Sequence, residues 1–270
     1  MIEFPNAKIN IGLNIVEKRS DGFHNIETIF YPIGFSDILE INNSDKDFSF
    51  TNTGLLIDKG DYSSNLCYKA YELLKKNHSI NPVNIHLHKL IPSGAGLGGG
   101  SSDASSTLKA INNLQNLNLD NSKLMEYAGK LGSDCPFFIV NKPVFACGTG
   151  NIFEPITIQL KGLYLVLVNP GIHINTAKAY SQSKPLRPKY SLKELIENPI
   201  ENWKKTIFND FESIVFKDYP QIEKIKQTLY SQGAVYASMS GSGSSVFGLF
   251  REKPALTNYF GNQPIWEERL

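Results

Sequence analysis

The stretch Pro92-Ser93-Gly94-Ala95-Gly96-Leu97-Gly98-Gly99-Gly100-Ser101-Ser102-Asp103-Ala104 sets five glycines between an alternating segment and a helical one. Glycine lets the backbone take positive φ and approach a ligand closely. The N–H groups and dipole at the start of a helix favour an anion. Together they read as a phosphate cradle, with a mobile linker as the plainer alternative. A P-loop is excluded, because Gly100 is followed by Ser101 with no lysine. Gly94, Gly96 and Gly99 also satisfy G-x-G-x-x-G, and Asp120 stands near the ribose-binding offset of a dinucleotide fold. Against that reading, Pro92 separates strand from glycines, and Asp120 falls between two helical patterns instead of closing a second strand.

Upstream, Val83, Ile85 and Leu87 alternate with Asn84, His86 and His88, predicting a strand over 83–90 that runs into the glycines. Leu66, Ala70, Leu73 and Leu74 predict a helix over 65–77, and strands are expected over 26–32 and 38–42. At the N-terminus, Ile9, Ile11, Leu13 and Ile15 alternate with Lys8, Asn10, Gly12 and Asn14, the pattern of a half-buried strand. Lys8 and Asn10 then share its polar face, about 7 Å apart at two residues' rise. Downstream, helices are expected over 104–117 and 122–131, the second ended by Gly132, with Asp134 just beyond. Strands are expected at 137–140, 163–169 and 245–250, helices at 192–197 and 222–232, and a loop at 184–190. The mixture is α+β, with a domain boundary expected near 155–162.

The 270 residues are 41% hydrophobic and 20% charged, as in an ordinary globular protein. With 27 basic and 26 acidic side chains, net charge is +1, so no bulk field recruits nucleic acid or an anionic membrane. Cys67, Cys135 and Cys147 lack metal-site spacing and read as reduced core thiols. The absence of a basic-then-apolar leader and of any run of about 18 apolar residues points to a cytoplasmic protein.

The filled pattern Pro-x-x-x-Gly-Leu-Gly-Gly-x-Ser-Ser, Pro92 to Ser102, resembles the nucleotide motif of the GHMP kinases, the superfamily of galactokinase, homoserine kinase and mevalonate kinase. Pro5-Asn-Ala-Lys-Ile-Asn-Ile-Gly-Leu resembles its first motif and Ser238-Met-Ser-Gly-Ser-Gly-Ser-Ser-Val-Phe its third. The resemblance implies a two-domain α+β fold, with a ribosomal S5 domain 2-like N-terminal domain (1–157), a ferredoxin-like C-terminal domain (158–270) and a cleft between them. Arg19-Ser-Asp-Gly-Phe-His and Leu131-Gly-Ser-Asp-Cys-Pro-Phe-Phe resemble segments of those members whose acceptor is a cytidyl-diphosphate polyol.

That resemblance implies ATP as co-substrate, with Mg2+, a small cytidyl diphosphate as substrate, and a monomer or weak homodimer with no nucleic acid or membrane partner. It makes Asp134 the proton acceptor or orienting charge and sets Lys8 beside it, with Asn10 donating to substrate or phosphate. Phe23 would stack on the cytosine, His24 hydrogen-bond its edge, and Tyr180 close the sandwich from Asn175-Thr176-Ala-Lys-Ala-Tyr180. Asn65, Lys89, Pro92, Gly94, Gly96, Leu97, Gly98, Gly99 and Gly100 fall to the nucleotide. Ser101 and Ser102 would bind phosphate or a magnesium-bound water, although helix capping alone would explain them. Thr176, Gly241 and Ser242 fall to the substrate, a plain glycine turn being the rival reading of the last two. Two other functions stay in view: a different GHMP kinase, such as homoserine kinase, and a nucleotide- or RNA-binding module.

Overall fold

The computed structural model describes residues 1–55, 62–256 and 259–270. The chain divides into two compact units that interleave in sequence: 1–7, 34–93 and 98–142 form one, and 8–33, 94–97 and 143–270 the other.

The first unit is built on a sheet of order β1-β4-β6-β5, from β1 (Ile2–Glu3), β4 (Ile38–Asn43), β6 (Val83–Lys89) and β5 (Ser49–Gly54). Only β5 and β6 run parallel. Alternation along β6 buries Val83, Ile85 and Leu87, with Leu39 and Ile41 opposite them on β4. Their common core takes in residues of α1 (Leu66–Asn77), α2 (Gly99–Leu114), α3 (Asn121–Leu131) and α4 (Cys135–Val140). Helix α1 buries Cys67, Ala70, Tyr71 and Leu74, so its core stripe is rotated from the expected one, and Leu66 and Leu73 lie at its margin. The expected strand at 137–140 is instead the helix α4. A four-residue apolar run does not distinguish the two states, and Pro136 in the first turn favours helix. Asp120 caps α3 by accepting from Lys123 N–H at 2.8 Å, which removes it from any ribose-binding role.

The second unit holds two sheets. One has the order β2-β3-β7-β8, from β2 (Asn6–Lys18), β3 (His24–Ser36), β7 (Val144–Cys147) and β8 (Ile152–Pro155); β2 and β3 begin or end in the first unit. The other is antiparallel, β10-β11-β9-β12, from β9 (Tyr164–Val168), β10 (Tyr236–Met239), β11 (Val246–Phe250) and β12 (Ile265–Arg269). Helices α5 (Thr176–Gln182), α6 (Leu192–Leu195), α7 (Ile200–Thr206), α8 (Glu212–Asp218) and α9 (Pro220–Ser231) complete it. Leu13 and Ile15 of β2 share one core with Val166 and Val168 of β9, Phe211 and Leu229.

Strand β2 is not half-buried as its alternation suggests. Ile9, Ile11, Leu13 and Ile15 are buried, and so are Lys8 at 3% exposure and Asn10 at 2%. A buried lysine and asparagine need partners, and those partners define the site.

Candidate active site

In the second unit the three motifs are tied together by hydrogen bonds. The Lys8 ammonium donates to Asn10 Oδ1 and, at 3.2 Å, to the Gly96 carbonyl, and lies 4.8 Å over the Phe30 ring. Asn10 Nδ2 donates to Thr28 Oγ1 at 2.9 Å, and that hydroxyl donates to Gly12 O at 2.6 Å. Ser240, wholly buried, accepts from the Asn10 N–H at 3.1 Å and donates to Gly96 O at 2.8 Å. Gly96 has φ +79°, and a Cβ there would lie 1.9 Å from Ser240 O. Glycine at this position therefore serves the close approach of two loops, and that approach sets the Gly96 carbonyl against Lys8. Thr28, on β3, and Ser240, in the loop after β10, are short hydroxyls whose roles show only once their partners arrive.

The third-motif loop is braced from below by Asn209. Its amide, 2% exposed, donates to Met239 O and Gly241 O, each at 2.8 Å, and accepts from Phe211 N–H at 3.0 Å. Asp210 accepts from Ile15 N–H at 2.7 Å, and Glu212 from Met239 N–H at 2.9 Å. The run Asn209-Asp210-Phe211-Glu212, polar residues among apolar neighbours, was the available signal for this brace. Thr176, at the start of α5, and Ser242 join hydroxyls at 2.9 Å on the exposed side of the loop. A Cβ on Gly94 would come within 3.0 Å of the His173 ring.

Of the expected base sandwich, His24 rather than Phe23 lies parallel to Tyr180, with ring centroids 4.9 Å apart and planes 19° from parallel. Tyr180 meets Phe211 edge-on at 4.9 Å. Phe23 is 64% exposed, on a turn tied by the Arg19–Asp21 ion pair at 2.7 Å and by Phe23 N–H donating to Asp21 at 3.1 Å. A base stacking on that face of Tyr180 must first displace the His24 ring. Desolvation, with the nearby Lys18 charge, lowers the His24 pKa and favours the neutral ring, which can accept one hydrogen bond while donating another.

In the first unit, α2 opens at Gly98, whose left-handed backbone forms the N-cap without a side-chain bond. Gly99 and Gly100 are the first helical residues and Ser101 and Ser102 complete the turn, so capping does not account for the serines. Helix α2 is thus five residues longer at its start than the apolar pattern predicts, because glycines carry no periodic signal. Burial pushes the pKa of the Cys135 thiol up to about 11. Asn65 caps α1, accepting from Cys67 N–H at 2.8 Å. Pro92 lies between the end of β6 and the glycines.

Lys89 was expected to face the nucleotide, but it continues the Val83, Ile85, Leu87 alternation and points into the core. There it is 2% exposed, and its ammonium meets Asp37 and, at 2.8 Å, Asp103. Asp37 also accepts from Leu90 N–H at 2.6 Å and Ile91 N–H at 2.8 Å. A Cβ on Gly99 would be 2.9 Å from Lys89 Nζ, so the lysine supports the first turn of α2 from beneath. Burial opposes the Lys89 charge, but the Asp103 and Asp37 carboxylates outweigh it and raise its pKa. Burial pushes Asp103 up to about 7.

Asp134, half-buried, stands at the N-cap position of α4 but makes no side-chain cap bond; Ser133 Oγ donates to it at 3.4 Å. The plain reading of a capping loop aspartate is therefore not what is observed. Asp134 and Lys8 belong to different compact units.

The description "GHMP kinases N terminal domain" matches residues 65–142, and "GHMP kinases C terminal" matches residues 191–258. The chain is 56% identical over 260 residues to the 4-diphosphocytidyl-2-C-methyl-D-erythritol kinase of Bacteroides fragilis, covering 95% of this chain and 94% of that one. It is 53% identical to the protein of the same name from Parabacteroides distasonis, over the whole of both chains. Among solved structures, a 4-(cytidine 5'-diphospho)-2C-methyl-D-erythritol kinase superposes with a TM-score of 0.79 at 31% identity, covering 92% of this chain and 90% of that one. The mevalonate kinase of Methanococcus jannaschii shares the fold, with a TM-score of 0.74 at 18% identity over 99% of this chain and 97% of its own.

Proposed function

The chain belongs to the GHMP kinases, and on that premise we propose that it transfers the γ-phosphoryl group of ATP to the 2-hydroxyl of 4-diphosphocytidyl-2-C-methyl-D-erythritol, a step of non-mevalonate isoprenoid precursor synthesis. It is a small-molecule kinase, with the family's two-domain α+β fold. The acceptor is inferred from relatives at 46–56% identity that carry that name. The observation that carries the chemistry is the bonding of Lys8, Asn10, Gly96 and Ser240 into one buried cluster. We keep 157/158 as the boundary of the inherited domains, with the matched segments 65–142 and 191–258 on either side of it.

In this reading the acceptor hydroxyl oxygen attacks phosphorus, the bond to the bridging oxygen of ATP breaks, and ADP leaves. Asp134 takes or orients the hydroxyl proton. Lys8, held by Asn10, supplies positive charge toward the transferring group, and the first turn of α2 receives nucleotide phosphate on its N–H groups. Lys89 acts indirectly, by fixing that turn. The cytosine is read by His24, Tyr180 and Phe23.

Magnesium fits as an ion carried by the nucleotide. Among the described residues no group of three or more His, Cys, Asp or Glu forms a protein-built metal site, whereas magnesium takes oxygens from phosphate and water. Its water ligands would be received by the Ser101 hydroxyl. When bound, it neutralises charge on the phosphate oxygens. No helix of the described residues is long and apolar enough to cross a membrane. We place the enzyme in the cytoplasm, where both substrates are dissolved, as a monomer or weak homodimer.

The test offers radiolabelled ATP with either the cytidyl substrate or homoserine. Phosphoryl transfer to the cytidyl substrate is expected; turnover of homoserine alone, or ATP binding without turnover of either, would sink the reading.

A further inference from the structure

The loop Ser240–Ser244 closes a turn in which Gly243 N–H donates to Ser240 O at 2.9 Å. Gly241 has φ +56° while Ser242 is not among the residues of positive φ, the sign pattern of a type II′ turn. Two constraints fix which way its central peptide faces. Turning that peptide over into the type I′ form would require positive φ at Ser242, which a residue with a Cβ resists. Asn209, buried beneath, also holds the Gly241 carbonyl at 2.8 Å and the Met239 carbonyl at the same distance. In a trans peptide the C=O and the following N–H point in opposite directions. With the Gly241 carbonyl drawn inward, the Ser242 N–H is directed outward, on the side where the Ser242 and Thr176 hydroxyls stand exposed, 2.9 Å apart.

We propose that Asn209 is a positioning residue of this kinase: it aims the Ser242 N–H, with the Thr176–Ser242 hydroxyl pair, at a phosphate oxygen of the acceptor's diphosphate. The inference rests on the acceptor reading given above. A backbone N–H held in place before the ligand arrives loses no conformational freedom on binding, and a hydrogen bond from it to an anion is stronger than one between neutral groups. The Asn209 amide has nothing else to do in the core: both of its polar atoms are spent on this loop and on the Phe211 N–H that starts α8.

Asn209→Asp keeps the size and the acceptor for Phe211 N–H but removes both donors. Cytidine 5'-diphosphate binding is measured by calorimetry, beside the Michaelis constants for acceptor and ATP. The expected result is a rise of about 10- to 100-fold in the cytidine diphosphate Kd and the acceptor KM, with the ATP KM unchanged. A folded variant in which all three are unchanged, or in which only thermal stability falls, overturns the proposal. Should the variant not fold, the wild-type Ser242 amide resonance decides: a shift on adding cytidine diphosphate is expected, and its absence overturns the proposal. Wild-type protein that neither binds cytidine diphosphate nor phosphorylates the acceptor overturns the acceptor reading and this inference with it. Wild-type protein that does both, with Asn209→Asp unaffected, overturns this inference alone.

Discussion

At the scale of single residues, charge and burial set the chemistry. Asp134 stands half-buried at the N-cap position of α4 without a side-chain bond to the helix. Asp134→Asn should lower kcat by about 100-fold or more while ATP affinity is retained, as loss of a proton-accepting or orienting group requires. Equal loss of ATP binding would instead assign Asp134 a structural role. His24, stacked on Tyr180, should matter only to the acceptor: His24→Ala is expected to raise the acceptor KM far more than the ATP KM, and a purely ATP-side effect would remove it from the base site. Asp103 makes a pH-dependent contribution to stability. Its carboxyl is raised from 3.8 to about 7, so the folded chain binds a proton that the unfolded chain releases. Within that window this group lowers stability as pH rises. Asp103→Asn lacks this titration, so although it gives up the charged pair with Lys89, its melting temperature relative to the wild type should rise with pH between the unfolded carboxyl value and about 7. Thermal melts across that range check the sign; a variant whose deficit grows with pH would contradict it.

At the scale of elements, two glycines of the same stretch, one in the loop and one in helix α2, separate packing from ligand approach. Gly96→Ala forces a Cβ to 1.9 Å from Ser240 O and positive φ on alanine, so both melting temperature and turnover should fall. Gly100, in the first turn of α2, is different: among the described residues a Cβ there meets only Leu66, at 3.9 Å. Gly100→Ala should keep or raise stability, by about 0.5–1 kcal/mol from helix propensity, while raising the ATP KM as the methyl crowds the phosphate. Stability and nucleotide affinity falling together in Gly100→Ala would show that its role is packing. Element type was readable wherever the apolar period was long, as in β2, β6, α2 and α3. It failed at α4, where four apolar residues fit either state, and α5, α7, α8 and several short strands went unmarked because their patterns span too few residues to show a period.

At the scale of the whole molecule, the compact units do not follow the order of the chain. The second unit takes Lys8–Ile33 and Gly94–Leu97 as well as everything after Lys142, and its core needs Leu13 and Ile15 from β2. A fragment comprising residues 158–270 should therefore fail to fold cooperatively, although it holds the whole matched C-terminal segment. Hydrogen exchange showing native-like protection in the isolated fragment would refute this. By itself, the sequence determined the family and the period of the long elements. Those properties rest on local spacing, and local spacing survives in one dimension. Only the tertiary structure decided that Lys8 and Asn10 are buried, that Lys89 turns into the core between two aspartates, that His24 stacks on Tyr180, and that Ser240 and Asn209 hold the loops. Each of these depends on a partner far away in the chain, and the cost of burying a polar group is met only when folding brings that partner within hydrogen-bonding distance.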